Sequence, residues 1–258
     1  MRDGRLPIQR LDPAAVAARL EAVRERTLAL VAGLDWETLR RQHVSILSPM
    51  VWDLGHIANF EELWLGRELA GTEPLREDVD ELFDAIANPR PTREALPVPV
   101  GRALLEYLDQ VRRQSLDLLT RVEELDRSDL LENGFVYEML AEHEEQHQET
   151  LLQALQLLDG SPYAPGQRRR LPAARFVARD MVVIPGGRFL MGAASDAFVY
   201  DNERRRHEVE LDDFLIDRTP VTNSDFLVFV EEGGYGRRDL WSAEGWAWRE
   251  ETGAEAPG

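Results

Sequence analysis

Phe135-Val-Tyr-Glu-Met-Leu-Ala-Glu-His143-Glu-Glu-Gln-His147-Gln-Glu-Thr-Leu-Leu-Gln-Ala-Leu-Gln-Leu-Leu158 decides how the first half of this chain folds. Met139, Leu140, Leu151, Leu152, Leu155 and Leu158 fall at helical spacing, and Asp159-Gly160 supplies a stop. His143 and His147 are one helical turn apart, so both imidazoles project the same way, close to the apolar stripe. Imidazoles that face a core need partners. A metal is one, and Glu144 or Glu149 could then orient the ring N–H groups. Two other readings fit the same residues. A histidine pair on a Glu-rich helix also arises on an ordinary solvated face, and His-Glu-x-x-His is the zinc-protease signature, with Glu144 as general base. Such proteases draw a third ligand from a following element, and here the next histidine is His207, in a region of different composition.

Working outward, the chain has only five histidines in 258 residues. One of them, His56, sits in Trp52-Asp-Leu-Gly-His-Ile-Ala-Asn-Phe60, another apolar helical stretch. Three imidazoles from two helices form an all-nitrogen site with open positions, whereas a fourth protein ligand would close it into a structural site. Further helices are predicted from Asp12-Pro13 and Ser48-Pro49, each read as a cap followed by proline in the first turn. Leu104, Leu105, Leu108, Val111, Leu116, Leu118 and Leu119 predict another. Four long helices make a bundle over residues 1–160. The proline-rich segment Leu82–Pro97 reads as a long ordered or functional loop.

Composition bounds the rest. The length suits one large domain or two modest ones, and 43% apolar residues suffice for a packed core. A formal charge of −18 and a pI near 4.7 argue against a nucleic-acid partner. All 30 basic residues are arginine, a bias of coding rather than of function. The chain has no cysteine, which removes disulfides, thiolate ligands and a cysteine nucleophile. With neither an apolar leader nor a membrane-length apolar run, the expectation is a cytoplasmic monomer that meets no membrane.

Beyond Gly160 the texture changes. Residues 161–179 read as a linker and 180–258 as a small loop-rich α+β domain. Met181–Gly192 predicts two strands about Pro-Gly-Gly, His207–Leu211 a third strand, and Thr222–Val230 a short helix. Gly233-Gly-Tyr-Gly236 and the Trp241, Trp246, Trp248 cluster suggest a loop-rich α+β domain.

These residues taken together resemble a known family. Pro49-Met-Val-Trp-Asp-Leu-Gly-His-Ile57, Glu61-Glu-Leu-Trp64, Asn88-Pro-Arg-Pro-Thr-Arg93, Gly134-Phe-Val-Tyr137 and His143–Glu149 are similar to the hercynine oxygenases, the sulfoxide synthases of ergothioneine biosynthesis. Ile184-Pro-Gly-Gly187, Met191-Gly192, Tyr200-Asp-Asn-Glu203, Ile216-Asp217 and Pro220-Val-Thr-Asn223 resemble the start of a formylglycine-generating-enzyme, or sulfatase-modifying, domain. The resemblance implies a DinB-like four-helix bundle followed by the N-terminal part of a C-type-lectin-like domain.

It further implies an Fe(II) enzyme that uses O2 to join the sulfur of γ-glutamylcysteine or cysteine to C2 of the hercynine imidazole. His56, His143 and His147 fall on the family's iron ligands, Gln146 on a hercynine contact, and Arg90 and Arg93 on the pair that binds the donor's carboxylates. Two guanidinium groups in a proline-stiffened loop also suit an acidic peptide on chemical grounds. They favour γ-glutamylcysteine, while a selenium donor, or histidine in place of hercynine, is compatible with the same residues. The family's proton-transfer tyrosine and Asp/Asn/Trp loop fall past Gly258, so no catalytic residue is assigned; the expectation is a complete metal site in an incomplete enzyme. Two other classes share parts of this pattern. A DinB-like thiol transferase has the bundle and three histidines without the second domain, and a non-catalytic binding protein uses both regions for interaction.

Overall fold

The structure, a computed structural model, describes residues 12–125, 128–158, 180–194 and 198–257. The described residues divide into two compact units, 12–158 with 193–205, and 180–192 with 206–257. The first carries helices α1 (Pro13–Val31), α2 (Trp36–Arg40), α3 (Met50–Glu61), α4 (Val79–Phe83), α5 (Arg102–Thr120), α6 (Ser128–Leu131) and α7 (Phe135–Gln156). Helix α7 packs on α1 and α3, and α3 packs on α5, giving the bundle.

The helix starts show how local chemistry sets these elements. Asp12 caps α1 by accepting from the amides of Ala14 and Ala15 at 3.1 and 3.4 Å, with Pro13 in the first turn. The second expected cap is corrected. Pro49 occupies the cap position of α3 without a side-chain bond, and the Ser48 hydroxyl instead accepts from Arg93 Nη1 at 2.6 Å. Helix α3 then continues as a π-helix over Glu62–Leu69, where the successive carboxylates of Glu61 and Glu62 are both buried. Glu62 accepts from the Tyr107 hydroxyl at 2.6 Å and the Leu75 amide at 2.5 Å.

Within the predicted loop, α4 ends at Phe83 and a 3₁₀ turn runs over Arg90–Ala95. The loop is pinned by the Asn88 side chain, which donates to the carbonyls of Glu81 at 2.6 Å and Asp84 at 3.1 Å. Apolar packing joins Trp52, Leu54, Phe83, Leu104, Tyr107, Leu151 and Leu155 around α3. A second cluster gathers Leu20, Val23, Leu65, Leu118, Val136 and Leu140. Asp159, Gly160 and the linker expected over 161–179 lie outside the described residues.

In the second unit, β1 (Met181–Ile184) pairs antiparallel with β4 (Phe214–Asp217), and β2 (Gly187–Met191) with β3 (His207–Leu211). The two strands flanking Pro-Gly-Gly therefore do not pair with each other. Both pairings keep one register, from Met181↔Asp217 to Met191↔His207, interrupted at Pro185-Gly186 opposite Asp212-Asp213. There the Gly186 amide donates to Asp213 Oδ1 at 2.6 Å, and a Cβ at Gly186 would lie 2.7 Å from the Leu211 carbonyl oxygen. Helix α8 (Asn223–Glu231) begins with a Thr222/Asp225 capping box. Trp246 and Trp248 lie on α9 (Ala243–Thr252), which Ser242 caps and Gly253 ends. Tyr235 is buried against Phe229 and Trp241, with ring centroids 5.9 and 5.2 Å away.

Candidate metal centre

Helices α3 and α7 bring His56, His143 and His147 together. One ring nitrogen from each lies within 4.8 Å of the others, close enough for a single ion to bridge them, and all three rings keep partial solvent access. This is the signature of two helices crossing at their histidine faces, since 87 residues separate His56 from His143 in sequence. Each ring is braced by aromatic packing or a backbone group. His56 stacks on Trp52, with centroids 4.8 Å apart and planes at 12°, and its Nδ1 meets the Phe83 carbonyl at 2.8 Å. A carbonyl can only accept, so Nδ1 carries the proton and Nε2 keeps its lone pair for a metal. His143 stacks on Phe60 at 3.9 Å and 19°. Helical α3 places Phe60 four residues after His56, on the same face.

The electrostatics favour neutral imidazoles. Burial, helped by the neighbouring His147, lowers His56 to about 4 against the Phe83 bond. Burial and the other two histidines lower His143 to about 2. Neutral imidazole is the ligating form, so these side chains suit a divalent cation at neutral pH. Within the histidine cluster, buried His147 Nδ1 has no hydrogen-bond partner, although Asp53 Oδ1 lies 3.3 Å away outside hydrogen-bond alignment. The donor set of three nitrogens, with no fourth protein ligand among the described residues, fits a metal that works with open positions rather than one that staples a fold.

Glu144 takes neither role expected of it. One residue on from His143, it is turned by about 100° around the helix axis, into the bundle, where it is 2% exposed. It accepts from Arg24 Nε at 2.8 Å, Arg112 Nη2 at 3.2 Å and the Thr27 hydroxyl at 2.7 Å. Glu61 completes the group, accepting from Arg24 Nη2 at 2.9 Å and Arg112 Nε at 2.8 Å. Two arginines from α1 and α5 thus balance two glutamates from α3 and α7. A general base facing a metal-bound substrate is excluded for Glu144. Glu149 is exposed.

The remaining expected residues are dispersed. Gln146 is exposed on α7 and donates through Nε2 to the Tyr200 hydroxyl at 3.0 Å. Burial, then Glu142, Glu203 and Glu138, raise the Tyr200 phenol above its ordinary value. Phe198, beside Tyr200, packs on Phe135 with centroids 5.3 Å apart, so this segment lies along α7. Arg90 is exposed. Arg93 is buried, and its guanidinium donates to the Asn88 carbonyl at 2.8 Å, Ser48 Oγ at 2.6 Å and the Ala85 carbonyl at 3.2 Å. It also lies 3.5 Å from the Trp52 ring centroid. Its donors tie the 84–93 loop to Ser48, just before α3, while its guanidinium covers Trp52 of α3. Sequence reasoning missed Asp53, Phe60 and Phe83; the first two carry a signal, lying three residues before and four after His56 on one helix.

Residues 19–151, just over half of the chain, match the DinB superfamily. The chain belongs to that superfamily. Residues 167–257 match the sulfatase-modifying factor enzyme 1-like domain. Over nearly its whole length the chain is also homologous to hercynine oxygenases. It is 41% identical to that of Mycolicibacterium smegmatis over 94% of this chain and 56% of the relative. It is 42% identical to that of Mycolicibacterium thermoresistibile, over 95% and 54%, and 40% identical to that of Mycobacterium tuberculosis, over 95% and 57%. The chain therefore spans a little over half the length of these relatives. Among the described residues no helix is long and apolar enough to cross a membrane.

Proposed function

We propose that this DinB-superfamily chain carries the iron(II) site of a hercynine oxygenase, which joins the sulfur of γ-glutamylcysteine, or of cysteine, to C2 of the hercynine imidazole. The reaction consumes one O2, replaces the C2–H and S–H bonds by a C–S bond, adds one oxygen to sulfur and releases one water. The single observation that carries this reading is the convergence of His56, His143 and His147 from two helices, in a chain homologous to that family. These three residues would hold Fe(II), which when bound supplies the one-electron chemistry that couples O2 to a thiol.

The chain's own residues do the positioning. The neutral imidazoles of His56 and His143 add no charge, so the metal keeps its attraction for a thiolate. Trp52 and Phe60 cover two of the rings and exclude water from that side of the cluster. We assign Gln146, and the Tyr200 hydroxyl it holds, to hydrogen bonding of the hercynine imidazole. Arg90, exposed, is assigned to the acidic donor, with Arg93 holding the loop that presents it. The match to a sulfatase-modifying factor domain favours this reading over a DinB-like thiol transferase, which needs no second domain. Anaerobic Fe(II) titration followed by hercynine, γ-glutamylcysteine and O2, with products weighed by mass spectrometry, tests it. A sulfoxide conjugate is the expected product; one iron bound with no conjugate would restrict the chain to metal binding.

A further inference from the structure

Each imidazole of the cluster is held in its own way. His56 gives its Nδ1 proton to the Phe83 carbonyl, and His143 is fixed by its stack on Phe60. His147 has Nδ1 buried and 3.3 Å from the carboxylate of Asp53, itself only 2% exposed. Asp53 lies one helical turn before His56, so α3 directs both side chains toward α7.

We propose that Asp53 is the positioning residue of His147: its carboxylate keeps the proton on Nδ1 and thereby turns Nε2 toward the metal. The inference rests on reading the cluster as a metal site. Three features support it. A carboxylate buried to this degree needs a partner, and Asp53 forms no ion pair with an arginine among the described residues; Arg93, which feels its charge, has its own donors committed to Ser48, Ala85 and Asn88. The carboxylates expected from the sequence to do this work are elsewhere, Glu144 inside the arginine pair and Glu149 in solvent. Finally, the Asp53 to His147 distance is already short and only the ring angle departs from a hydrogen bond. Ligation through the opposite nitrogen and attraction by Asp53 act on that same rotation. A carboxylate behind a ligating imidazole makes it more basic and fixes its tautomer, and loss of such a partner costs about 10–100-fold in metal affinity.

The test compares the 258-residue parent with Asp53→Ala and Asp53→Asn. Co(II) affinity is measured by chelator competition, the His147 tautomer by ring ¹⁵N shifts of the metal-free chain, and metal-free stability by thermal melting. The expected result is about 10–100-fold weaker Co(II) binding for Asp53→Ala, with a smaller loss for Asp53→Asn, whose amide oxygen still accepts from Nδ1. His147 should lose its Nδ1–H tautomer in Asp53→Ala, and the metal-free melting temperature should change little, because Arg93, which feels the Asp53 charge, keeps its bonds to Ser48, Ala85 and Asn88. Co(II) affinity within about twofold of the parent, an unchanged tautomer, or a loss of affinity that tracks a loss of metal-free stability would each overturn the inference. A parent that binds no Co(II) would overturn the metal reading itself, a failure visible before any variant is made.

Discussion

Replacing Glu144 tests whether the His-Glu-x-x-His motif is read correctly. In the bundle, Arg24 and Arg112 share Glu61 and Glu144, and each of the four side chains is no more than 9% exposed. Charge balances two against two. Glu144→Ala leaves two guanidinium groups facing one carboxylate with no water to take up the excess, the situation in which breaking a buried pair costs about 3–5 kcal/mol. Glu144→Gln keeps the volume and the acceptor for Thr27 but removes the charge, and belongs at the lower end of that range. At about 2–4 °C per kcal/mol for a chain of this size, Glu144→Ala should melt roughly 6–20 °C below the parent. Circular dichroism melts at neutral pH read this directly, with exposed Glu149→Gln as a control expected to shift by less than about 0.5 kcal/mol. Arg24→Met combined with Glu144→Leu leaves the Glu61–Arg112 pair balanced and should recover most of the loss. A Glu144→Gln protein that melts with the parent would refute the charge-balance account and return the residue to a role at the histidine site.

Acidification should unfold the metal-free chain in two stages. Below the ordinary imidazole value of 6.5 the unfolded chain takes up protons that His56, at about 4, and His143, at about 2, refuse in the fold. Stability then drops by up to about 1.4 kcal/mol per pH unit for each, and His143→Ala should shallow that slope in urea titrations. Below 4.5 the carboxyl of Glu61, opposed by burial but held well below its ordinary value by Arg112 and Arg24, adds a further loss of stability as pH falls. His143→Ala or His147→Ala should abolish stoichiometric metal binding in equilibrium dialysis. Gly55→Ala places a Cβ 2.1 Å from the Phe83 ring, so it should destabilise by about 1–3 kcal/mol and weaken metal binding as the Phe83 carbonyl leaves His56. Arg90→Ala should raise the KM for γ-glutamylcysteine with metal content and melting unchanged, whereas Arg93→Ala should lower the melting temperature.

What the sequence disclosed and what it hid follow from the range of each signal. The bundle and the His143/His147 pair were legible because helical periodicity is local, and His56 because its apolar helix is equally plain. The fate of Glu144 was not legible, since its one-residue offset from His143 acquires meaning only when α1 and α5 bring Arg24 and Arg112 to that face. Ser48 was misread as a cap because a hydroxyl before Pro49 looks the same whether it meets an amide or the guanidinium of Arg93, 45 residues on. The Phe83 contribution is a backbone carbonyl and has no residue signature. In the second unit, local composition marked the strands, but pairing across the 15 residues between β2 and β3 is a long-range choice that turn signals do not encode.

The histidine centre divides its labour unevenly along the chain. Helix α7 brings two of the three imidazoles, yet the groups that aim all three, Trp52, Asp53, Phe60 and the Phe83 carbonyl, come from one stretch of 32 residues around α3 and α4. A transplanted α7 would therefore carry its ligands into a new scaffold without anything to steer them. Swapping residues 52–83 between homologues, with α7 held constant, would retune the metal instead, which makes that stretch the place to search for differences in ion preference within the superfamily.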